Sequence, residues 1–291
     1  MNKIVIAGFG QPVLDLINSF SSNFEIKGVF VDYERRSKFP LFYTELQSKS
    51  IPILTLEELN SLGLDAIIVI NFNKIINVHE IKVPLLLNIH MGLLPVYRGN
   101  NANAWSILNG DRNVGYTLHQ ITSELDGGAI YYKFEYLIKE NETYFAAKNA
   151  IVNDLNNNLS SVVQKVIEGK IEPVTQEDAE FIYASKLIAE DGVLENWNYT
   201  TTEIINKNIV FSKPLGTGLR MKYKNEIFEI NKFSTIPKYK KCNGFAGAVV
   251  LKTNDGAIWV KTKDTAIALE ELIINDKIVK PAEIFKIGER L

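Results

Sequence analysis

Short β-branched runs alternate with helical patterns along the first ninety residues, and this alternation limits the fold more than any other feature. Residues 3–8 read as a buried parallel strand ending in glycines. Residues 12–20 carry Val13, Leu14, Leu16, Ile17 and Phe20 at helical spacing. Further strands are expected at 26–31, 64–70 and 84–89. Between them, residues 55–62 open on Thr55 with Glu58 three positions later, the spacing of a capping box. Strand, helix and strand joined by short connections imply an α/β, doubly wound domain. Strands at 114–121 and 129–138 and a long amphipathic helix at 143–168 extend it. After about residue 180 the pattern changes. A loop-like stretch, 172–200, leads to a helix at 201–211. Short alternating segments follow at 219–223, 226–233, 246–252, 256–261 and 265–274, the signature of a small β domain, read as a barrel. The expected division is therefore 1–180, a linker and helix at 181–211, and 212–291.

Composition narrows the chemistry. Cys242 is the only cysteine among 291 residues, so an internal disulfide and a multi-cysteine zinc site are excluded, and no metal is expected. The apolar run at the start is too short for a signal-peptide core, and no stretch of 18 apolar residues occurs; the expected location is cytoplasmic, with no membrane partner. The net charge of −2 conceals an asymmetry: residues 205–291 hold 16 Lys+Arg against 9 Asp+Glu, and the remainder is acidic. Lys232, Lys238, Lys240 and Lys241 stand close together in this basic half. A solvated surface is the simpler reading; a contact with the phosphates of a substrate or an RNA is the other.

Three histidines, His79, His90 and His119, are the only imidazoles. His79 has no partner at ligand spacing and reads as a surface residue. Asn88 and His90 are two apart at the end of an expected strand, so their side chains share one face. The carboxyl end of a strand in a doubly wound sheet is where ligands bind, although a hydrogen-bonded strand terminus would use the same residues. Asp126 lies in a Gly-flanked loop between two expected strands and could equally be a turn residue. Gly8-Phe9-Gly10, with Asp32 after the second strand, is a partial dinucleotide fingerprint lacking its third glycine; glycines that permit a tight strand-to-helix turn explain it as well.

Taken together, Asn88-x-His90, Leu93-Leu94-Pro95, Arg98-Gly99 and Leu125-Asp126-Gly127-Gly128 resemble the 10-formyltetrahydrofolate-dependent formyltransferase family. Met91-Gly92 departs from that family's usual pair, with little effect expected on the chemistry. The resemblance extends through Tyr183-Ala184-Ser185-Lys186-Leu187 to Gly288-Glu289-Arg290-Leu291. It implies a Rossmann-like catalytic domain followed by an OB-like barrel, and a formyl group taken from 10-formyltetrahydrofolate. Asn88, His90 and Asp126 would be catalytic. Asn71, Leu93, Leu94, Pro95, Leu125 and Gly127 would bind the folate. Arg98, Gly99, Asn103, Trp105 and His119 would face the acceptor, His119 in a positional role.

The acceptor is a further question. The segment 32–53 has few basic residues (Arg35, Arg36 and Lys38 before Lys49), whereas the tRNA enzymes carry a long basic insertion there. Trp105 stands where the sugar enzymes often keep a tryptophan. Both cues favour a nucleotide-linked amino sugar, for cell-surface polysaccharide such as lipopolysaccharide. The basic second half keeps methionyl-tRNA open as the alternative. A non-catalytic folate-binding protein and a nicotinamide oxidoreductase are weaker alternatives, and a homodimer is compatible with the resemblance.

Overall fold

The computed structural model describes residues 1–31, 38–72, 74–140, 142–177, 179–236 and 242–291. Asp32, Arg35, Arg36, Lys238, Lys240 and Lys241, named above, lie outside the described residues. The chain divides into two compact units. One comprises Met1–Asn103, Val114–Leu137 and Lys148–Ser185; the other comprises Ala104–Asn113, Ile138–Ala147 and Lys186–Leu291.

The first unit is built on the expected alternation: β1 (Asn2–Gly8), α1 (Gln11–Phe20), β2 (Phe24–Phe30), α2 (Pro40–Ser48), β3 (Ile53–Leu54), α3 (Leu56–Ser61), β4 (Ala66–Ile70) and β5 (Leu85–His90). Then come β6 (Tyr97–Gly99), α4 (Ala102–Leu108), β7 (Asn113–Gln120), β8 (Ile130–Leu137), α5 (Tyr144–Ile167) and β9 (Ile182–Ala184). Seven strands form one sheet in the order β3-β2-β1-β4-β5-β7-β8. The first five run parallel, and β7 turns antiparallel against β5. Both faces of the central strands are covered, which is why β4 is buried along its whole length and reads as an unbroken apolar run.

Local signals act as the sequence suggests. Thr55 and Glu58 close a full capping box on α3, each taking the other's backbone N–H. α1 buries the five apolar residues predicted for it. Gly8, the last residue of β1, has a steric reason: a Cβ there would fall 1.8 Å from the Ile70 carbonyl oxygen, so β1 and β4 meet here only through glycine, while Gly10 takes a left-handed φ of 73° at the turn into α1. Elements without an apolar period long enough to see were missed: α2, α4, and the two-stranded pairing of β6 with β9 inside the loop-like stretch.

The second unit contains β10 (Val193–Leu194), α6 (Thr201–Phe211), β11 (Arg220–Tyr223), β12 (Glu226–Thr235), β13 (Val249–Lys252), β14 (Ile258–Lys261), β15 (Ala266–Ile274), β16 (Lys277–Val279) and α7 (Pro281–Ile284). Its sheet runs β10-β11-β12-β15-β14-β13, with β16 on β15. Among the described residues its strand pairings are antiparallel except β10 with β11. Trp197, Ile204, Met221, Ile258, Val260, Ile267, Leu269 and Phe285 are among its buried core. No helix among the described residues is long and apolar enough to cross a membrane.

Candidate active site

The site is assembled by strand register. Asn88 and His90 sit two apart near the carboxyl end of β5. The antiparallel pairing of β5 with β7 sets His119 directly opposite Asn88, and Thr117 opposite His90. Opposed residues on one face of an antiparallel pair come within contact distance, and Asn88 Nδ2 lies 3.0 Å from His119 Nε2. Asp126 arrives from the loop between β7 and β8 with a left-handed φ of 49°. Its Oδ2 accepts the Gly99 backbone N–H at 2.8 Å and lies 3.4 Å from His90 Nδ1. Its Oδ1 is 3.5 Å from both His119 Nε2 and Asn88 Nδ2. One carboxylate thus faces two imidazoles and one carboxamide.

The backbone fixes where the imidazole protons sit. A carbonyl can only accept, so His90 Nε2, 2.8 Å from the Tyr97 oxygen, carries the proton and donates it. The Nδ1 lone pair of the neutral ring is left facing Asp126. A proton arriving there would make an imidazolium held between a carbonyl and a carboxylate. In His119, Nδ1 carries the proton and donates it to the Gln120 carbonyl at 2.8 Å. The neutral ring then accepts the Asn88 amide on Nε2, and the protonated ring would donate to Asp126 instead.

Burial pushes the His90 imidazole below its ordinary value. Asp126 and the Tyr97 carbonyl act the other way, and His119 adds to the lowering. Burial alone would raise the Asp126 carboxyl, but the His119 ring, the charge of His90 and the Gly99 N–H outweigh it and hold it below the usual carboxylate range. The pair at neutral pH is therefore a neutral base beside an ionised acid.

Other predicted residues are placed as follows. Gly92 lacks a Cβ for a reason: one would fall 2.4 Å from the Ala102 Cβ and 2.7 Å from His90 Nε2, so the turn after β5 can lie against these two residues only through glycine. Leu94 is buried, its N–H on Thr117 Oγ1, while Leu93 and Pro95 are half-buried. Leu125 is exposed, and Gly127 half-buried. Asn71 follows β4 with a φ of 52° and donates to the Phe9 carbonyl at 3.1 Å. Asn103 does not present its amide to a ligand: it is 1% exposed and bonds the Gly115 N–H and carbonyl at 2.9 and 2.8 Å, which tethers β7. Trp105 is half-buried on α4, in the segment that groups with the second unit. His79 is exposed.

Arg98 is buried. Its guanidinium bonds Glu124 through Nη1 and Gln176 Oε1 through Nη2 at 3.3 Å, and lies 4.3 Å from the centre of the Phe181 ring. A cavity of about 340 Å³ is lined by Arg98, Thr122, Glu124, Gly127, Gly128 and Gln176, among others. Glu124, Gln176 and Phe181 were not foreseen. Glu124 stands two residues from Asp126 and could have been suspected as a partner for Arg98; Gln176 carries no motif.

Residues 44–163 match the family model described as formyl transferase. The chain is 28% identical to the methionyl-tRNA formyltransferase of Clostridium tetani (strain Massachusetts / E88), covering 94% of this chain and 92% of that one. Among solved structures it is similar to WlaRD, a sugar 3N-formyl transferase solved with dTDP and 5-N-formyl-THF. The TM-score is 0.70 at 22% identity, over 92% of this chain and 97% of that one. It is also similar to an N-formyltransferase from Helicobacter canadensis in complex with folinic acid and dTDP-3-aminofucose, with a TM-score of 0.68 at 22% identity, over 92% and 99%. The formyl transferase match spans Asn88, His90 and Asp126, the three residues gathered at the end of β5, so residues 44–163 are similar to a formyl transferase domain.

Proposed function

We propose that this protein transfers the formyl group of 10-formyltetrahydrofolate to the amine of a nucleotide-linked amino sugar. The convergence of Asn88, His90, His119 and Asp126 carries the reading. His90 Nδ1 is the unprotonated nitrogen of a neutral imidazole with the Asp126 carboxylate beside it, suited to take the proton of an amine as its nitrogen bonds the formyl carbon. The same proton passes to the folate nitrogen as the bond from that nitrogen to the formyl carbon breaks, leaving a formamide and tetrahydrofolate. Asn88 Nδ2 donates to the oxygen on which negative charge develops, and His119 orients that amide. Asp126 stabilises the imidazolium between the two proton transfers. The folate is assigned to Asn71, Leu93, Leu94, Pro95, Leu125 and Gly127, and the acceptor to the side of Arg98, Gly99 and Trp105.

Two observations support a sugar acceptor. Structures of sugar N-formyltransferases resemble this chain over nearly its whole length. In the second unit, Lys213, Lys222, Lys232 and Lys280 are each paired with a glutamate (Glu229, Glu195, Glu270 and Glu271), which tempers the positive field an RNA would need. We assign the chemistry to 1–180, the linker and helix to 181–211, and an OB-like fold to 212–291. The second reading, methionyl-tRNA as acceptor, is favoured by the Clostridium tetani relative. The test is formyl transfer from 10-formyltetrahydrofolate to charged initiator tRNA and to a panel of nucleotide-linked amino sugars. A formylated sugar is expected; formylated methionyl-tRNA with no sugar product overturns the choice, and no transfer to either overturns the enzyme reading.

A further inference from the structure

The geometry points to Gln176 as a positioning residue that holds the Asp126 loop in register with His90, a role that rests on the proposed chemistry for its purpose but on the fold for its geometry. Asp126 has no helix or strand to fix it. It stands on a loop in left-handed backbone, and its carboxylate is useful only if it stays within reach of His90 Nδ1. Gln176 comes from a segment 50 residues later, after α5, and is 8% exposed. Its Nε2 donates to two carbonyls of the loop, Asp126 at 2.9 Å and Gly128 at 2.6 Å. Its Oε1 accepts from Arg98 at 3.3 Å. Both donors of the amide are therefore spent on the residues either side of Gly127, and its acceptor ties them to the strand β6 that also supplies the Gly99 N–H to Asp126.

The anchoring is specific to a carboxamide. Two carbonyl oxygens need two donors from one nitrogen, and the Arg98 guanidinium needs an acceptor; only an amide offers both at this length. Asp126 is thus held at two points: its side chain by β6 through the Gly99 N–H, and its main chain by the Gln176 amide. A carboxylate at 176 would keep the Arg98 contact and set a third acceptor against the two carbonyls. A methionine would keep the volume and lose all three bonds.

The experiment uses two variants of the full chain, Gln176→Met and Gln176→Glu, with folding checked by thermal unfolding. With three histidines in the chain, imidazole NMR titration resolves each one. His90 is faced by Asp126 from the β7–β8 loop, by His119 from β7 and by the Tyr97 carbonyl. In Gln176→Met the carboxylate drifts from His90 and the His90 midpoint drops by roughly half a unit or more, since an opposite charge at this range moves a pKa by about one unit or more. In the transfer assay, kcat falls about tenfold or more in both variants while the acceptor KM stays within about twofold, because a base without its orienting partner loses part of a factor of roughly 10²–10⁴. Gln176→Glu decides the matter through kcat if the methionine variant does not fold. A His90 midpoint that does not move in folded Gln176→Met, or a wild-type kcat in Gln176→Glu, overturns the role. If the wild-type chain transfers no formyl group, the functional reading falls, and the His90 titration still decides whether Gln176 positions Asp126.

Discussion

Gly92→Ala puts one methyl group where the structure has no room for it. Its carbon would stand 2.4 Å from the Ala102 Cβ and 2.7 Å from His90 Nε2. Non-bonded carbons rest at about 3.5–4.0 Å, so the turn after β5 and Ala102 must part by roughly 1 Å or more. Overpacking of this kind costs about 1–3 kcal/mol. The His90 ring must also swing from the Tyr97 carbonyl, and a buried bond lost adds about 1 kcal/mol. The expected loss is therefore about 2–4 kcal/mol, read as a lowered midpoint in urea unfolding at unchanged slope. A second substitution separates the two collisions. Ala102→Gly removes the partner at 2.4 Å and leaves the one at 2.7 Å. The double variant Gly92→Ala/Ala102→Gly should recover part of the stability, with a coupling of about 1 kcal/mol or more, while formyl transfer stays depressed because His90 remains displaced. A Gly92→Ala protein with the wild-type midpoint, or a double variant with full transfer activity, would refute the packing argument.

Asp126→Asn should lower kcat and move the acid limb of the pH–rate profile. His90 already titrates below 6.5, chiefly through burial, and the Asp126 charge is the first influence opposing that. Transfer needs Nδ1 free, so activity falls as pH drops through the His90 pKa; without the carboxylate the limb shifts to still lower pH, and a limb moving upward would contradict the arrangement. The same depression bears on stability. Below pH 6.5 the unfolded chain binds a proton that folded His90 does not. Stability from this group is full above 6.5 and declines as pH falls toward the folded value, and His90→Gln should flatten that part of the stability–pH curve. In the second unit, Phe285 is fully buried with its ring edge-on to Tyr223 at 5.2 Å and to Phe228 at 6.2 Å. Phe285→Ala should cost about 3–5 kcal/mol in chemical denaturation; a loss under about 1 kcal/mol would mean that the core closes over the gap.

Much of the first unit could be read because its signals are local. A parallel strand buried on both faces must be apolar throughout, so β1 and β4 announce themselves, and Thr55 with Glu58 spells out its own cap. The pair Asn88 and His90 follows from the two-residue period of a strand, needing only the strand's existence. His119 is different. Its place opposite Asn88 depends on β7 running antiparallel to β5 in one register, and a one-residue slip would send it to the other face. Asn103 lies within a run of polar residues beside Arg98-Gly99, and only the fold reveals that its amide bonds the Gly115 backbone.

The sequence by itself determined the strand–helix alternation, the helix caps and the residue types available for proton transfer, because these depend on neighbours a few positions apart. Only the tertiary structure decided which nitrogen of His90 carries the proton, which carboxylate faces it, why position 92 must be glycine, and that a glutamine 50 residues away holds the loop. Each of those is set by where a distant carbonyl, methyl or amide comes to rest when the sheet packs, and spacing along the chain holds no record of it.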